Sequence, residues 1–341
     1  MPALSQREFS TYIMIGALLG TVGACGSQTL ANSTSPGTDP TATGDFSDRP
    51  GWECDAAPIA STLVSFGDEG ASTRIESNGV ARHKTGTFPN SGNPNRISVQ
   101  RHRYAITNSP EKRGYATDTR IFGVTLDGIP LERDTAESWR NQREWRYEAI
   151  TPAIADGTGH WPTGDWLGTD CNNAHVQPTG KYHYHGMMEG LLAALSGGSE
   201  PGGMVLGGYA ADGFPFYLRY GYADPGDPSS RLVPMQASWE LKSGIRPSGP
   251  GGAYDGEFRE DWEFVAGSGD LDQCGGRFGP TPEYPDGIYH YYITDDYPYI
   301  PRCVMGTPDA SFTRRPDGPP PGARRGQRPQ RGERPPRRRQ F

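Results

Sequence analysis

The chain has 341 residues, of which 47 are Gly and 32 Pro, nearly twice the ordinary share, and a net charge of −7 with 11% aromatic residues. A helical bundle or coiled coil would be rich in Ala, Leu, Glu and Lys instead, and disorder throughout would lack so many rings able to bury large areas. The class that remains is a turn-rich β domain with irregular ends.

Residues 1–25 read as a lipoprotein-type signal peptide. Arg7 supplies a weak positive start, and the apolar run from Tyr12 to Ala24 is too short to span a membrane. It ends in Val22-Gly23-Ala24-Cys25, small residues before a single Cys, as in a bacterial lipobox. Cys25 is then the lipidation site and the membrane anchor; an ordinary signal peptide cut nearby is the alternative. Residues 26–50 have the Ser, Thr, Gly and Pro content of a flexible tether. With Cys25 set aside, four Cys remain in the expected β domain, 51–312: Cys54, Cys171, Cys274 and Cys303. An exported chain oxidises such thiols. Of three connectivities, Cys54–Cys171 with Cys274–Cys303 is preferred. The tail 313–341 holds ten Arg against Asp317 and Glu333, which leaves the rest of the chain at −15. This Arg/Pro-rich tail is expected to be disordered, serving as a spacer or contacting an anionic envelope polymer. The acidic body argues against nucleic acid as a partner.

Within the body a pattern recurs. Gly123-Val-Thr-Leu-Asp127-Gly128-Ile-Pro130-Leu131 matches Gly208-Tyr-Ala-Ala-Asp212-Gly213-Phe-Pro215-Phe216. Trp145-Arg-Tyr-Glu-Ala149, Cys171-Asn-Asn173 and Pro178-Thr-Gly-Lys-Tyr-His-Tyr-His185 then match Trp262-Glu-Phe-Val-Ala266, Cys274-Gly-Gly276 and Pro285-Asp-Gly-Ile-Tyr-His-Tyr-Tyr292, in the same order. Two related units follow, about 115–195 and 200–305. Asp-Gly between apolar runs marks a tight turn, and the Pro two residues later points to an edge strand. Strands are expected over Ile97–Ile106, Gly203–Tyr209, Ser238–Leu241 and Asp261–Val265, with few helices, Thr135–Arg143 and Met188–Leu195. The fold class is mainly β, an antiparallel β-sandwich-like domain with long loops.

Three of the seven His fall in Cys171-Asn-Asn-Ala-His175-Val-Gln-Pro-Thr-Gly-Lys-Tyr-His183-Tyr-His185. On a strand His183 and His185 share one face and the two Tyr the other. A turn at Gln177–Gly180 folds His175 back toward them, and three converging imidazoles suit zinc or copper. His290, the repeat counterpart of His183, is a further candidate ligand. Asp127 and Asp212 are turn formers or carboxylate partners of the site. Two other readings stay open, a Tyr-His cross-strand ladder and acid/base chemistry without metal. No nucleophile elbow, zincin helix or phosphate loop is present.

Tyr182-His183-Tyr184-His185 with Cys171-x-x-x-His175 upstream, Phe88-Pro-Asn-Ser-Gly-Asn-Pro-Asn95, Ser77-Asn-Gly-Val80 with His83 and Thr85-Gly86, and the Ala-Ala-Asp-Gly-Phe-Pro block ending at Pro215 resemble the YHYH-domain family of exported bacterial proteins. The likeness runs from about Ile75 to Arg302; Met187-Met188 depart from it. It implies an extracytoplasmic, often lipoprotein-anchored domain, implies no particular reaction, and adds His83 to the candidate ligands. The expectation is therefore an exported, lipid-anchored protein with a metal site on His175, His183 and His185. The alternatives are an envelope-binding module contacting glycans or anionic polymers, and a metal-dependent hydrolase.

Overall fold

Tyr, Phe, Val and Ile run in short stretches closed by Gly, Asp-Gly or Pro, and such stretches pair as strands. The computed structural model describes residues 53–151, 167–198 and 201–313. The expected signal peptide with Cys25, the expected tether and the tail from 314 lie outside them. In chain order the strands are β1 (Val64–Asp68), β2 (Ser72–Ser77), β3 (His102–Thr107), β4 (Thr117–Asp118), β5 (Ile121–Thr125), β6 (Pro130–Glu132), β7 (Ala174–Val176), β8 (Tyr182–Tyr184) and β9 (Val205–Ala210). There follow β10 (Pro215–Leu218), β11 (Tyr220–Tyr222), β12 (Leu232–Pro234), β13 (Trp239–Leu241), β14 (Trp262–Phe264), β15 (Gly276–Gly279), β16 (Ile288–Ile293) and β17 (Cys303–Val304). The described α-helices are α1 (Glu189–Ser196) and α2 (Ala310–Thr313).

The domain is mainly β, as expected. Its largest sheet has eight strands in the order β15-β16-β10-β9-β5-β6-β8-β7. It is mixed, because β6/β8 and β10/β16 pair parallel while the other neighbours are antiparallel. The antiparallel sheet β1-β2-β3 packs on one face, Ile75, Tyr104 and Ile106 meeting Ile121, Val124 and Ala211. Phe312 of α2 stacks on Tyr104 there, ring centroids 4.7 Å apart. The other face carries the main core, where Phe122, Leu131, Tyr184, Phe216 and Tyr291 pack with Leu191 of α1.

The two halves of this sheet share one register. Val124 pairs with Tyr209 at its centre, flanked by Gly123↔Ala210 and Thr125↔Gly208, so a pseudo-two-fold passes through that central pair. Outward from it, Gly123↔Leu131 matches Gly208↔Phe216, and Leu131↔Tyr184 matches Phe216↔Tyr291. The edge strands agree as well, His175↔His183 corresponding to Arg277↔His290. The loops follow suit: Asp170 Oδ1 accepts from Asn172 and Ala174 N–H, and Asp272 Oδ1 from Cys274 and Gly276 N–H. This equates Asn172 with Cys274, one residue away from the match of Cys171 to Cys274 read by residue identity.

Three local expectations change. Pro130 and Pro215 start interior strands, where the first residue can lack an N–H without breaking the ladder. Thr135–Arg143 forms only a 3-10 turn, Trp139–Asn141, because Arg140 and Asn141 take φ of 49° and 63°. The stretch before His102 stays outside the ladders: Ser98 N–H donates to Gly180 O and Gln100 N–H to Asn78 O.

The disulfides are Cys54–Cys171 and Cys274–Cys303, the preferred connectivity. They close separations of 117 and 29 residues, so chain entropy assigns them about 5 and about 4 kcal/mol respectively. Reductant is accordingly expected to lower the urea midpoint strongly. An unchanged midpoint, with four thiols shown free by alkylation, would contradict this.

Candidate metal centre

The strand rule puts His183 on the face opposite Tyr182 and Tyr184, and His185 follows it two residues on. Gly180, at φ 83°, closes the turn with its N–H on Gln177 O, and Gln177 N–H bonds to Lys181 O. That hairpin sets His175 directly across from His183. The three rings form a nearly equilateral triangle, with centroids 4.6, 4.7 and 4.9 Å apart. Their Nε2 atoms turn inward: His183 Nε2 lies 3.1 Å from His175 Nε2 and 3.0 Å from His185 Nε2. His183 and His185 are buried and His175 is partly so.

Two of the three outward nitrogens meet backbone oxygens. His175 Nδ1 lies 3.3 Å from both Leu167 O and the Asn93 amide nitrogen, and His183 Nδ1 faces Lys181 O, while His185 Nδ1 is buried without a hydrogen-bond partner among the described residues. At His183 the carbonyl on Nδ1 selects the tautomer with a bare Nε2 lone pair. Burial, then mutual repulsion between the rings and the nearby Lys181 cation, holds His183 well below the ordinary imidazole range. Burial and His175 do the same for His185, and burial lowers His175. The rings are therefore neutral at pH 7. One lone pair or one proton on His183 Nε2 cannot satisfy both neighbours. A cation would: metal–nitrogen bonds of about 2.0–2.1 Å in a tetrahedral arrangement separate the donors by about 3.3 Å. The donor atoms all lie within 4.8 Å of one another and could hold a metal ion.

Groups distant in sequence hold the triad in place. Asn93 and Asn95 both donate to Val176 O, at 3.0 and 2.8 Å, pinning the end of β7. Asp170 steadies the turn into β7, accepting from Tyr182 Oη at 2.7 Å and Gly86 N–H at 2.8 Å. On the triad's own face, buried Lys181 and Glu132 form an ion pair, and Gln177 Nε2 donates to Glu132 Oε1 at 3.0 Å. Burial would raise the Glu132 carboxyl, but Lys181 and then Arg120 outweigh it and keep the pKa low.

The other candidates lie elsewhere. His83 spends its ring nitrogens on Lys84 O, at 2.7 Å, and Tyr184 Oη, at 2.6 Å. His290 spends its own on Ile288 O, at 2.9 Å, and Tyr292 Oη, at 2.8 Å. Neither joins the triad, because both rings are already saturated. Asp127 accepts from Thr125 Oγ1 and Arg82 N–H, and Asp212 from Tyr291 Oη and Gly306 N–H, so both carboxylates are committed to partners outside the triad. Asn93 lies in the Phe88–Asn95 run already noted for its resemblance, which was the signal available for it. Same-face alternation with His183 was the signal for Lys181.

His290 supplies a pH test. Burial lowers its pKa to about 4, against about 6.5 unfolded. Its contribution is full above the unfolded value and is lost as pH falls toward the folded one, at about 1.4 kcal/mol per unit. Buried acids raised to about 6 or 7, such as Asp296 and Glu148, act in the opposite sense, so only a difference isolates it. Relative to wild type, His290→Gln is expected to gain about 3 kcal/mol between pH 7 and pH 4 in urea unfolding. A pH-independent difference would contradict this.

No curated protein and no solved structure matches this chain. The family model described as YHYH protein matches residues 103–306, a span that runs from β3 past β17 and contains the whole histidine triad, and the chain belongs to that family.

Proposed function

We propose that this chain is an exported protein that holds one transition-metal ion, zinc or copper, on His175, His183 and His185. The observation that carries the reading is the convergence of three imidazole Nε2 atoms, on two buried rings and one partly buried ring, with His183 Nε2 within 3.1 Å of both neighbours. Such an arrangement is poorly satisfied without a cation and well satisfied with one. Neutral imidazole donors suit both metals. Export is supported by the two disulfides, which persist in oxidising compartments. Lipid attachment at Cys25 and contact of the 313–341 tail with an anionic envelope polymer complete the reading. Mass spectrometry of the mature N-terminus and pull-down on envelope polymer with and without the tail test these two points.

The metal is tested by elemental analysis of the purified full chain. About one zinc or copper per chain is expected, and none in the His183→Ala/His185→Ala variant. A metal-free chain whose thermal stability does not change on adding zinc or copper would overturn the reading.

A further inference from the structure

The pseudo-two-fold of the eight-stranded sheet has a consequence at the second edge. His175 pairs with His183 in the first half, and Arg277 pairs with His290 at the same register position in the second. His185 N–H donates to Asn173 O, and Tyr292 N–H donates to Gly275 O. The triad positions therefore map as His175 to Arg277, His183 to His290 and His185 to Tyr292.

The local bonding repeats too. His183 Nδ1 faces the carbonyl two residues back, Lys181 O, and His290 Nδ1 lies 2.9 Å from the carbonyl two residues back, Ile288 O. His290 Nε2 turns to Tyr292 Oη at 2.8 Å, as His183 Nε2 turns to His185 Nε2 at 3.0 Å. The third corner differs in charge. A guanidinium has five donors, no lone pair to give and a permanent positive charge. Arg277 lays it over the Tyr292 ring, 5.3 Å from the centroid, and donates to Tyr222 O at 2.6 Å. The β11 backbone closes this centre, since a Cβ on Gly221 would stand 2.5 Å from Tyr292 Oη and 2.8 Å from the Arg277 guanidinium.

We infer that the fold contains two equivalent metal cradles, and that the second is kept metal-free by Arg277, a built-in cation, and by Tyr292, whose hydroxyl satisfies the one remaining imidazole. Arg277 and Tyr292 are thus the residues that set the metal stoichiometry at one. The stoichiometry rests on the metal reading of the first half; the equivalence of the two cradles rests on register alone. Both replacements toward histidine reduce side-chain volume, so they overfill nothing.

Zinc and copper(II) salts, each in slight excess followed by desalting, are the probes. Arg277→His/Tyr292→His is expected to raise bound metal from one to two per chain. In a His183→Ala/His185→Ala background it is expected to raise it from none to one. A folded variant, with both disulfides formed and a cooperative melt, that stays at the parental count overturns the inference. The reverse exchange, His175→Arg/His185→Tyr, guards against a variant that fails to fold. It is expected to fold, to bind no metal and to melt within a few degrees of metal-free wild type. If it unfolds while His183→Ala/His185→Ala folds, the two cradles are not equivalent. A wild type without metal would overturn the function proposed above and leave the reverse exchange, which reads stability alone, still decisive for the equivalence.

Discussion

Replacing His183 by Ala is expected to weaken zinc binding on the order of 1,000-fold or more, about 4 kcal/mol at the site. His183 is the middle member of the triad: its Nε2 lies within 3.1 Å of both other donors. Removing it leaves two ring nitrogens and a gap where the shared ligand stood, which is fewer than zinc takes in either structural or catalytic sites. The same change should cost much less in metal-free protein. There the single lone pair or proton on His183 Nε2 faces two ring nitrogens and can satisfy only one, so losing the ring relieves that mismatch while opening a cavity. The two effects separate in a melting experiment. At a zinc concentration about 1,000 times Kd, binding adds about 4 kcal/mol to wild type and almost nothing to the variant. For a domain of this size that is a shift of roughly 8–16 °C. Equal zinc-induced shifts in both proteins would remove His183 from the site.

How much of this was legible beforehand depended on the range of the interaction. The same-face placement of His183 and His185 follows from strand geometry alone, and the return of His175 from the Gln177–Gly180 turn four residues long. These are local facts, and the sequence carries them. The supports were not legible in this way. Asn93 reaches β7 across 83 residues and Glu132 meets Lys181 across 49, and nothing in spacing announces such contacts. The repeat was legible as a pattern but slipped by one residue at Cys171 and Cys274. The positions that actually correspond are Asp170 and Asp272, whose carboxylates cap the same turn. A matching thiol was the more conspicuous letter, and a matching turn the stronger physical constraint. Pro130 and Pro215 misled for a related reason: the proline rule excludes strand interiors, and both residues occupy the one interior-sheet position it permits.

Lys181→Met is expected to destabilise the domain by about 3–5 kcal/mol. Glu132 and Lys181 are each only 2–3% exposed, Glu132 in β6 and Lys181 immediately before the neighbouring β8. Taking away the ammonium leaves a carboxylate in a poorly solvating interior with only Arg120 and Gln177 as partners, and the Arg120 side chain is itself half in solvent. The pair as a whole is a different matter, because the attraction between its members is largely spent on their desolvation. The double variant Glu132→Leu/Lys181→Met is therefore expected to recover most of the loss, and urea unfolding of the four proteins in the cycle measures it. If Lys181→Met alone proves neutral, Glu132 is not held by that ion pair. The double variant also reaches the triad. The Lys181 cation opposes positive charge on both His175 and His183, while Glu132 favours it on His175. At His183 only the opposing cation is lost, while at His175 the favourable carboxylate goes as well, so the two effects offset and the double variant should bind zinc about as tightly as wild type once stability is restored. Weaker binding in a restored fold would mean that the pair aligns β6 and β8 for the metal rather than merely holding them together.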